Sequence, residues 1–256
     1  MQNQCRDSFY TTFPTYPSML DYHEVQARNS QWKHTQVRNL EVEPLDAKSP
    51  YFGNTAAFAG GISEEAVKDT AENLGLAIRI DGELYPVRST AYKSLLDRAK
   101  IGGTALPKLD RGVLAQTLNA CLKLFGSDAL TLIRDEKVAA VHSGDAVDYS
   151  VLPIDALLRA LQSNLDARFP ENEFEQGYSD HFISSATWKL PKQKEDLLGV
   201  YAKLLASQGK TKIADKLMPG IRFITSDTGV ASAKVSALLL GFQCPIHIGG
   251  CVSVVD

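Results

Sequence analysis

Two tight turns constrain this chain more than any other feature of its sequence. Leu76-Ala-Ile-Arg-Ile and Glu83-Leu-Tyr-Pro-Val flank Asp81-Gly82, a pair that accepts the positive φ of a two-residue type I′ turn. Ala129-Leu-Thr-Leu-Ile-Arg and Lys137-Val-Ala-Ala-Val-His meet in the same way across Asp135-Glu136. Connections this short leave no room for the crossover that parallel strands need, so both pairs are antiparallel hairpins.

Helical signals surround them. Ser63-Glu-Glu-Ala-Val-Lys-Asp-Thr-Ala-Glu-Asn-Leu-Gly supplies an N-cap, acidic first-turn residues and a terminating Gly75. Two further helices are expected at about 90–100, ending at Gly102-Gly103, and at about 110–125, opening on Asp110 and closing at Gly126. The second carries an apolar stripe of Val113, Leu114, Leu118, Cys121, Leu122 and Phe125. After Pro153, Leu157, Leu158, Leu161 and Leu165 form the face of another helix. Phe169 to Ser179 reads as an acidic surface loop, Phe182 to Leu190 as a strand and about 192–207 as a helix. Ile221–Thr225, Ala231–Phe242 and Ile246–Val255 are β-like. Hairpins cluster rather than alternating strictly with helices, which predicts an α+β fold with a mainly antiparallel sheet and several packed helices. Residues 1–62 are aromatic and proline-rich without a period and read as an irregular arm; 63–256 read as one α+β domain with no internal linker.

With 44% hydrophobic and 22% charged residues the chain can bury a core. Its longest apolar run, around Ala237–Leu240, is far short of the roughly 18–20 residues of a transmembrane helix. The polar start Met1-Gln-Asn-Gln-Cys-Arg-Asp does not resemble a leader, so the expectation is a cytoplasmic protein without a membrane partner. Cys5, Cys121, Cys244 and Cys251 are too few and too scattered to indicate disulfides.

A net charge of -3 argues against nucleic-acid binding through overall charge. Its distribution is more informative. Residues 128–180 hold 4 basic and 11 acidic side chains, whereas residues 187–222 hold 8 basic and 3 acidic. In the basic stretch Trp188, Lys189, Lys192 and Lys194 precede Lys203, Lys210, Lys212 and Arg222, an interleaving of aromatic and cationic groups suited to stacking bases and neutralising phosphates of a single strand. Tyr201 falls on the apolar stripe of Leu197, Leu198, Leu204 and Leu205 and reads as core.

Other motifs fail their own geometry. Gly209-Lys210-Thr211 resembles the end of a phosphate-binding loop, but Leu204 stands where the first glycine belongs. Asp227-Thr228-Gly229 resembles half of an aspartic-protease dyad and is also ordinary turn chemistry. Cys244, His247 and Cys251 lack a fourth metal ligand and a standard spacing. His142, Ser143, Asp145 and Asp148 lie too close in sequence to converge as a hydrolytic triad and read as a hairpin end. No catalytic residue, metal or cofactor is therefore expected.

From about Asp110 to Phe242 the order of segments resembles an uncharacterised phage- and plasmid-related family, a domain of unknown function found in prophages and mobile elements. Leu109-Asp110-Arg111 and Leu114-Ala-Gln-Thr-Leu-Asn119 resemble its helix before a hairpin. Leu132-Ile-Arg134 with Val138 to Ser143 resembles its arginine, turn and strand ending in serine, and Tyr149, Leu152, Pro153 and the helix Ile154 to Leu161 continue the likeness. Gly220 to Gly229 resembles its strand and closing turn. The resemblance brings no catalytic residues. It implies a mobile-element setting, where DNA replication, recombination and interference with the host are common tasks. The function expected is an accessory protein that binds single-stranded nucleic acid. The alternative is a protein-interaction module that inhibits a host defence enzyme through the acidic 128–180 surface, with Asp145, Asp148 and Asp155 in it.

Overall fold

In a computed structural model describing residues 4–145, 150–193, 203, 206–209 and 217–241, the protein is α+β and its sheets are antiparallel. The elements run β1 (Tyr10–Phe13), α1 (Tyr16–Asn29), β2 (Gln31–Gln36), β3 (Glu41–Pro44), α2 (Glu64–Glu72), β4 (Leu76–Ile80), β5 (Glu83–Pro86) and α3 (Ala91–Ala99). They continue with α4 (Arg111–Leu122), β6 (Asp128–Arg134), β7 (Lys137–Ser143), α5 (Ile154–Arg168), β8 (Glu173–Asp180), β9 (Ser184–Lys189), β10 (Leu217–Thr225) and β11 (Lys234–Gly241). Asp81 and Gly82 take φ of 51° and 87°, and Asp135 and Glu136 take 48° and 68°, so both hairpins close through left-handed turn residues. Ser63 Oγ accepts from Ala66 N and Asp110 Oδ1 from Gly112 N, capping α2 and α4.

The chain forms two compact units. The first comprises Met1–Tyr10, Val25–Val151 and Thr228–Val230, and holds two three-stranded sheets of order β2-β6-β7 and β3-β4-β5. Parallel pairing of Val87 with Val138 bridges them. Leu76, Ile78 and Ile80 of β4, Leu95 of α3, and Leu114, Leu118 and Leu122 of α4 share its fully buried core with Val138. On α4, Ala115 is buried and Val113 is 48% exposed, so the helix is rotated slightly from the stripe that includes Val113. Asn119 extends the sheet edge: its Oδ1 accepts from Val42 N at 2.7 Å and its Nδ2 donates to Val42 O at 2.8 Å. The second unit holds the sheet β1-β8-β9-β10-β11, with Trp188, Phe223, Ala186, Leu158 and Met19 in its core.

Two expectations are corrected here. Residues 1–62 are not an irregular arm, and 63–256 are not one domain: β1, β2 and β3 complete three different sheets, and the units divide the chain elsewhere. The acidic segment 169–179 is not simply a loop, because β8 pairs with β9 from Glu173 to Ser179 and keeps Glu173, Glu175 and Gln176 exposed while Gly177 and Ser179 are buried. The proposed helix around 192–207 and the strand 246–255 fall largely or wholly outside the described residues.

A buried ionic cluster ties the start of the chain into the first unit. Lys137, with a fully buried side chain, sits 3.0 Å from Asp7 Oδ1 and also pairs with Asp69. Asp7 Oδ2 accepts from Ser89 N at 2.9 Å, and Arg88, also buried, donates to Arg6 O and Gln4 O. Burial pushes the Asp7 pKa up, but Lys137 and the Ser89 hydrogen bond outweigh it and hold the carboxyl below its ordinary 3.8. Burial dominates at Asp135 and raises its pKa despite Arg88 and Arg134, and it lowers that of Arg88. The buried Cys5 thiol is pushed up to about 11 by desolvation and by Glu136 and Glu65.

Candidate functional site

Among the described residues, those expected to bind a strand do not assemble into a basic, aromatic surface. Trp188 has no exposed area: its ring packs edge-on to Phe174 with centroids 5.4 Å apart, and its Nε1 donates to Gln162 Oε1 at 2.8 Å. A base has no access to it, which corrects the stacking role. Lys189 pairs with Glu175, and Lys192 pairs with Glu171. Arg222 is half-buried in β10 opposite Thr187 and Ser236, and Lys203 is exposed. Lys194, Lys210 and Lys212 lie outside the described residues, as do Asp148, Cys244, His247 and Cys251. The pairing of Glu171 and Glu175 also removes part of the acidic surface proposed for a protein partner, and Glu136 accepts from Ser63 N rather than facing a partner. Asp145 is exposed and its backbone N donates to Ser143 Oγ, the local turn expected of a strand end.

A different group of residues does converge, within the first unit. It begins with the way α3 is fixed. β7 is the edge of its sheet, and two hydroxyls of α3 and its N-terminal flank take up backbone groups along that edge. Thr90 Oγ1 donates to Ala139 O at 2.8 Å, and Ser94 Oγ accepts from Val141 N at 2.9 Å while donating to Ala91 O. Ala91, Leu95 and Ala99 are buried on the core side of the helix. The opposite side therefore carries Lys93, Asp97 and Arg98 to the end of β7.

There, a cleft of about 360 Å³ is lined by Thr90, Lys93, Ser94, Asp97 and Arg98 from the helix, by Val141, His142 and Ser143 from the strand, and by Thr228, Gly229 and Val230. His142 is buried, and its ring lies 6.0 Å from that of Trp32 at 34°. Gly229, at φ 76°, closes the turn over the imidazole; a Cβ there would lie 3.1 Å from His142 Cε1. Glycine thus serves both the left-handed backbone and the close approach.

The electrostatics of the cleft differ from those of the basic segment. Neither Lys93 nor Arg98 has a carboxylate within 4.0 Å among the described residues, although Asp97 is on the same helix. Arg98 Nε is buried and finds no hydrogen-bond acceptor there. A buried guanidinium donor without an acceptor is costly. Among the described residues no three His, Cys, Asp or Glu side chains are placed to hold a metal ion, and no helix is long and apolar enough to cross a membrane.

Part of this cleft was visible in the sequence. Thr90, Ser94 and Arg98 recur at four-residue spacing on one helix, and His142 was singled out with Ser143 at the hairpin end. The contribution of Thr228–Val230, more than eighty residues downstream, carries no local signal. Compared with protein-family models, curated proteins and solved structures, the chain matches none of them.

Proposed function

We propose that this protein is an accessory factor of a phage- or plasmid-derived element that binds single-stranded nucleic acid, and that it holds the strand by its phosphates at the Lys93–Arg98–His142 cleft. The observation carrying this reading is the pair of cations on α3, without a carboxylate within 4.0 Å among the described residues, lining a cleft of mixed polar and apolar walls. Phosphate contacts supply most of the affinity in sequence-independent binding, and they need free charge rather than a high total of lysines. The cleft lining holds no Phe, Tyr or Trp, and its one aromatic ring, the His142 imidazole, is buried, which favours a backbone contact over a stacking platform.

The test is oligonucleotide binding by fluorescence anisotropy across a salt series. Each phosphate neutralised on a single strand contributes about 0.7 to the slope of log affinity against log salt. Lys93→Glu with Arg98→Glu is expected to weaken binding at least tenfold and to reduce the slope by about 1.4. Lys189→Glu with Lys192→Glu, which removes ammonium groups already paired to Glu175 and Glu171, is expected to have the smaller effect. Unchanged affinity and slope in the Lys93/Arg98 variant refutes the assignment.

A further inference from the structure

We infer that the cleft takes the terminal phosphate of a strand, a phosphomonoester, in preference to the phosphodiesters along its length. This rests on the preceding reading and narrows it.

Size gives the first argument. A surface that tracks a single strand engages about 4–16 nucleotides. A cavity of about 360 Å³ lies near the lower bound for a small-molecule site and has room for one phosphorylated sugar. Its walls come from α3, the end of β7 and the turn at Gly229, which form a pocket for a chain end rather than a track.

Charge gives the second. Lys93 and Arg98 against Asp97 leave the lining with one net positive charge before His142 is counted. A diester brings one negative charge, whereas a monoester brings about 1.5 to 2 at neutral pH together with a third acceptor oxygen. Arg98, which lines the cleft, has the planar donor fork that matches two phosphate oxygens at once, and Lys93 serves as a point charge for another. Asp97 opposes an anion, but as an acceptor it suits a donor hydroxyl, which within a strand is the 2′-OH of a terminal ribose.

The experiment compares three oligonucleotides of one sequence, carrying a 5′-phosphate, a 3′-phosphate or neither, with the fluorophore placed internally. A circular strand of the same length serves as competitor. One phosphorylated form is expected to bind about tenfold more tightly than the unphosphorylated one, and the preferred end tells which terminus is read. The circle is expected to compete no better than the unphosphorylated strand. Arg98→Gln is expected to abolish the preference and to weaken binding of all three forms while leaving the thermal melt unchanged, and Lys93→Gln to diminish the preference. Equal affinity for all three linear forms, or a preference that survives Arg98→Gln, overturns end recognition and leaves strand binding standing. Failure of every strand to bind overturns both.

Discussion

Lys137→Met tests whether the cluster at the start of the chain is a structural element of the first unit. The lysine is fully buried, 3.0 Å from Asp7 Oδ1 and paired with Asp69, and methionine has nearly its length without its charge. The variant leaves two carboxylates facing each other, with Arg88 Nη1 4.0 Å from Asp7 as the remaining cation. Removing one partner of a buried pair costs about 3–5 kcal/mol, a large share of the roughly 5–15 kcal/mol that holds a domain together. With a denaturant dependence of about 2 kcal/mol per molar, the urea midpoint should fall by about 1.5–2.5 M. Hydrogen exchange in peptides spanning Ala129–Val141 assigns the loss to the first unit. Adding Asp7→Asn and Asp69→Asn should recover most of it, because the penalty lies in unpaired charge rather than in lost attraction. The pH dependence supplies a check on sign. The Asp7 pKa is lower folded than unfolded, so its stabilisation is complete above its ordinary 3.8 and disappears as pH falls through the lower folded value. Asp135, raised by burial, acts in the opposite direction and gains stability on protonation. In Lys137→Met the burial of Asp7 has lost its main opponent, so acidification from neutrality should stabilise the variant more than it stabilises the parent. A midpoint within 0.3 M of the parent, about a sixth of the expected energy, refutes the account.

Gly220 of β10 would place a Cβ 2.6 Å from the carbonyl oxygen of Trp188, a backbone atom that cannot rotate away. Gly220→Ala should therefore destabilise the second unit by about 1–3 kcal/mol, read as a lower melting temperature, and an unchanged melt contradicts the packing of β9 against β10. The Cys5 thiol, raised from 9.0 to about 11, should be labelled by iodoacetamide at pH 8 about a hundredfold more slowly in the folded protein than in urea, because the thiolate is the reacting species. Peptide mass spectrometry that finds equal labelling in both states would falsify the burial of this residue.

The parts of the fold legible in the sequence are those whose causes are local. Ser63 and Asp110 announce their helices because a cap hydrogen bond spans two or three residues, and Asp81-Gly82 announces its hairpin because the turn is made by that pair. β2 gives no such notice. Its sequence, Gln31-Trp-Lys-His-Thr-Gln36, becomes a strand by pairing with β6 nearly a hundred residues later, where Trp32 opposes Leu132. β8 is hidden by its own exposure: glutamates dominate it because one face meets solvent, and its buried side needs glycine at 177, where a Cβ would approach Met19 Sδ to 2.6 Å. Composition reports the solvent face, and the partner strand decides the conformation.

The same distinction governs the site. Trp188 beside Lys189 looks like an aromatic next to a cation, but in a strand adjacent side chains leave on opposite faces, and Ala186, Trp188 and Leu190 share the apolar one. The alternation was available in the sequence and argues that this tryptophan belongs to the core. What it cannot supply is the fate of the charges. Glu171 and Glu175 belong to the stretch that counts as acidic, Lys189 and Lys192 to the stretch that counts as basic, and folding brings them together so that each block neutralises part of the other. Lys93 and Arg98 lie within residues 1–127, where 14 basic and 14 acidic side chains balance, yet hydroxyls on their helix fasten it to β7 and leave both cations without a carboxylate partner among the described residues. Free charge, which is what a phosphate meets, is a property of tertiary pairing, and a linear charge count is blind to it.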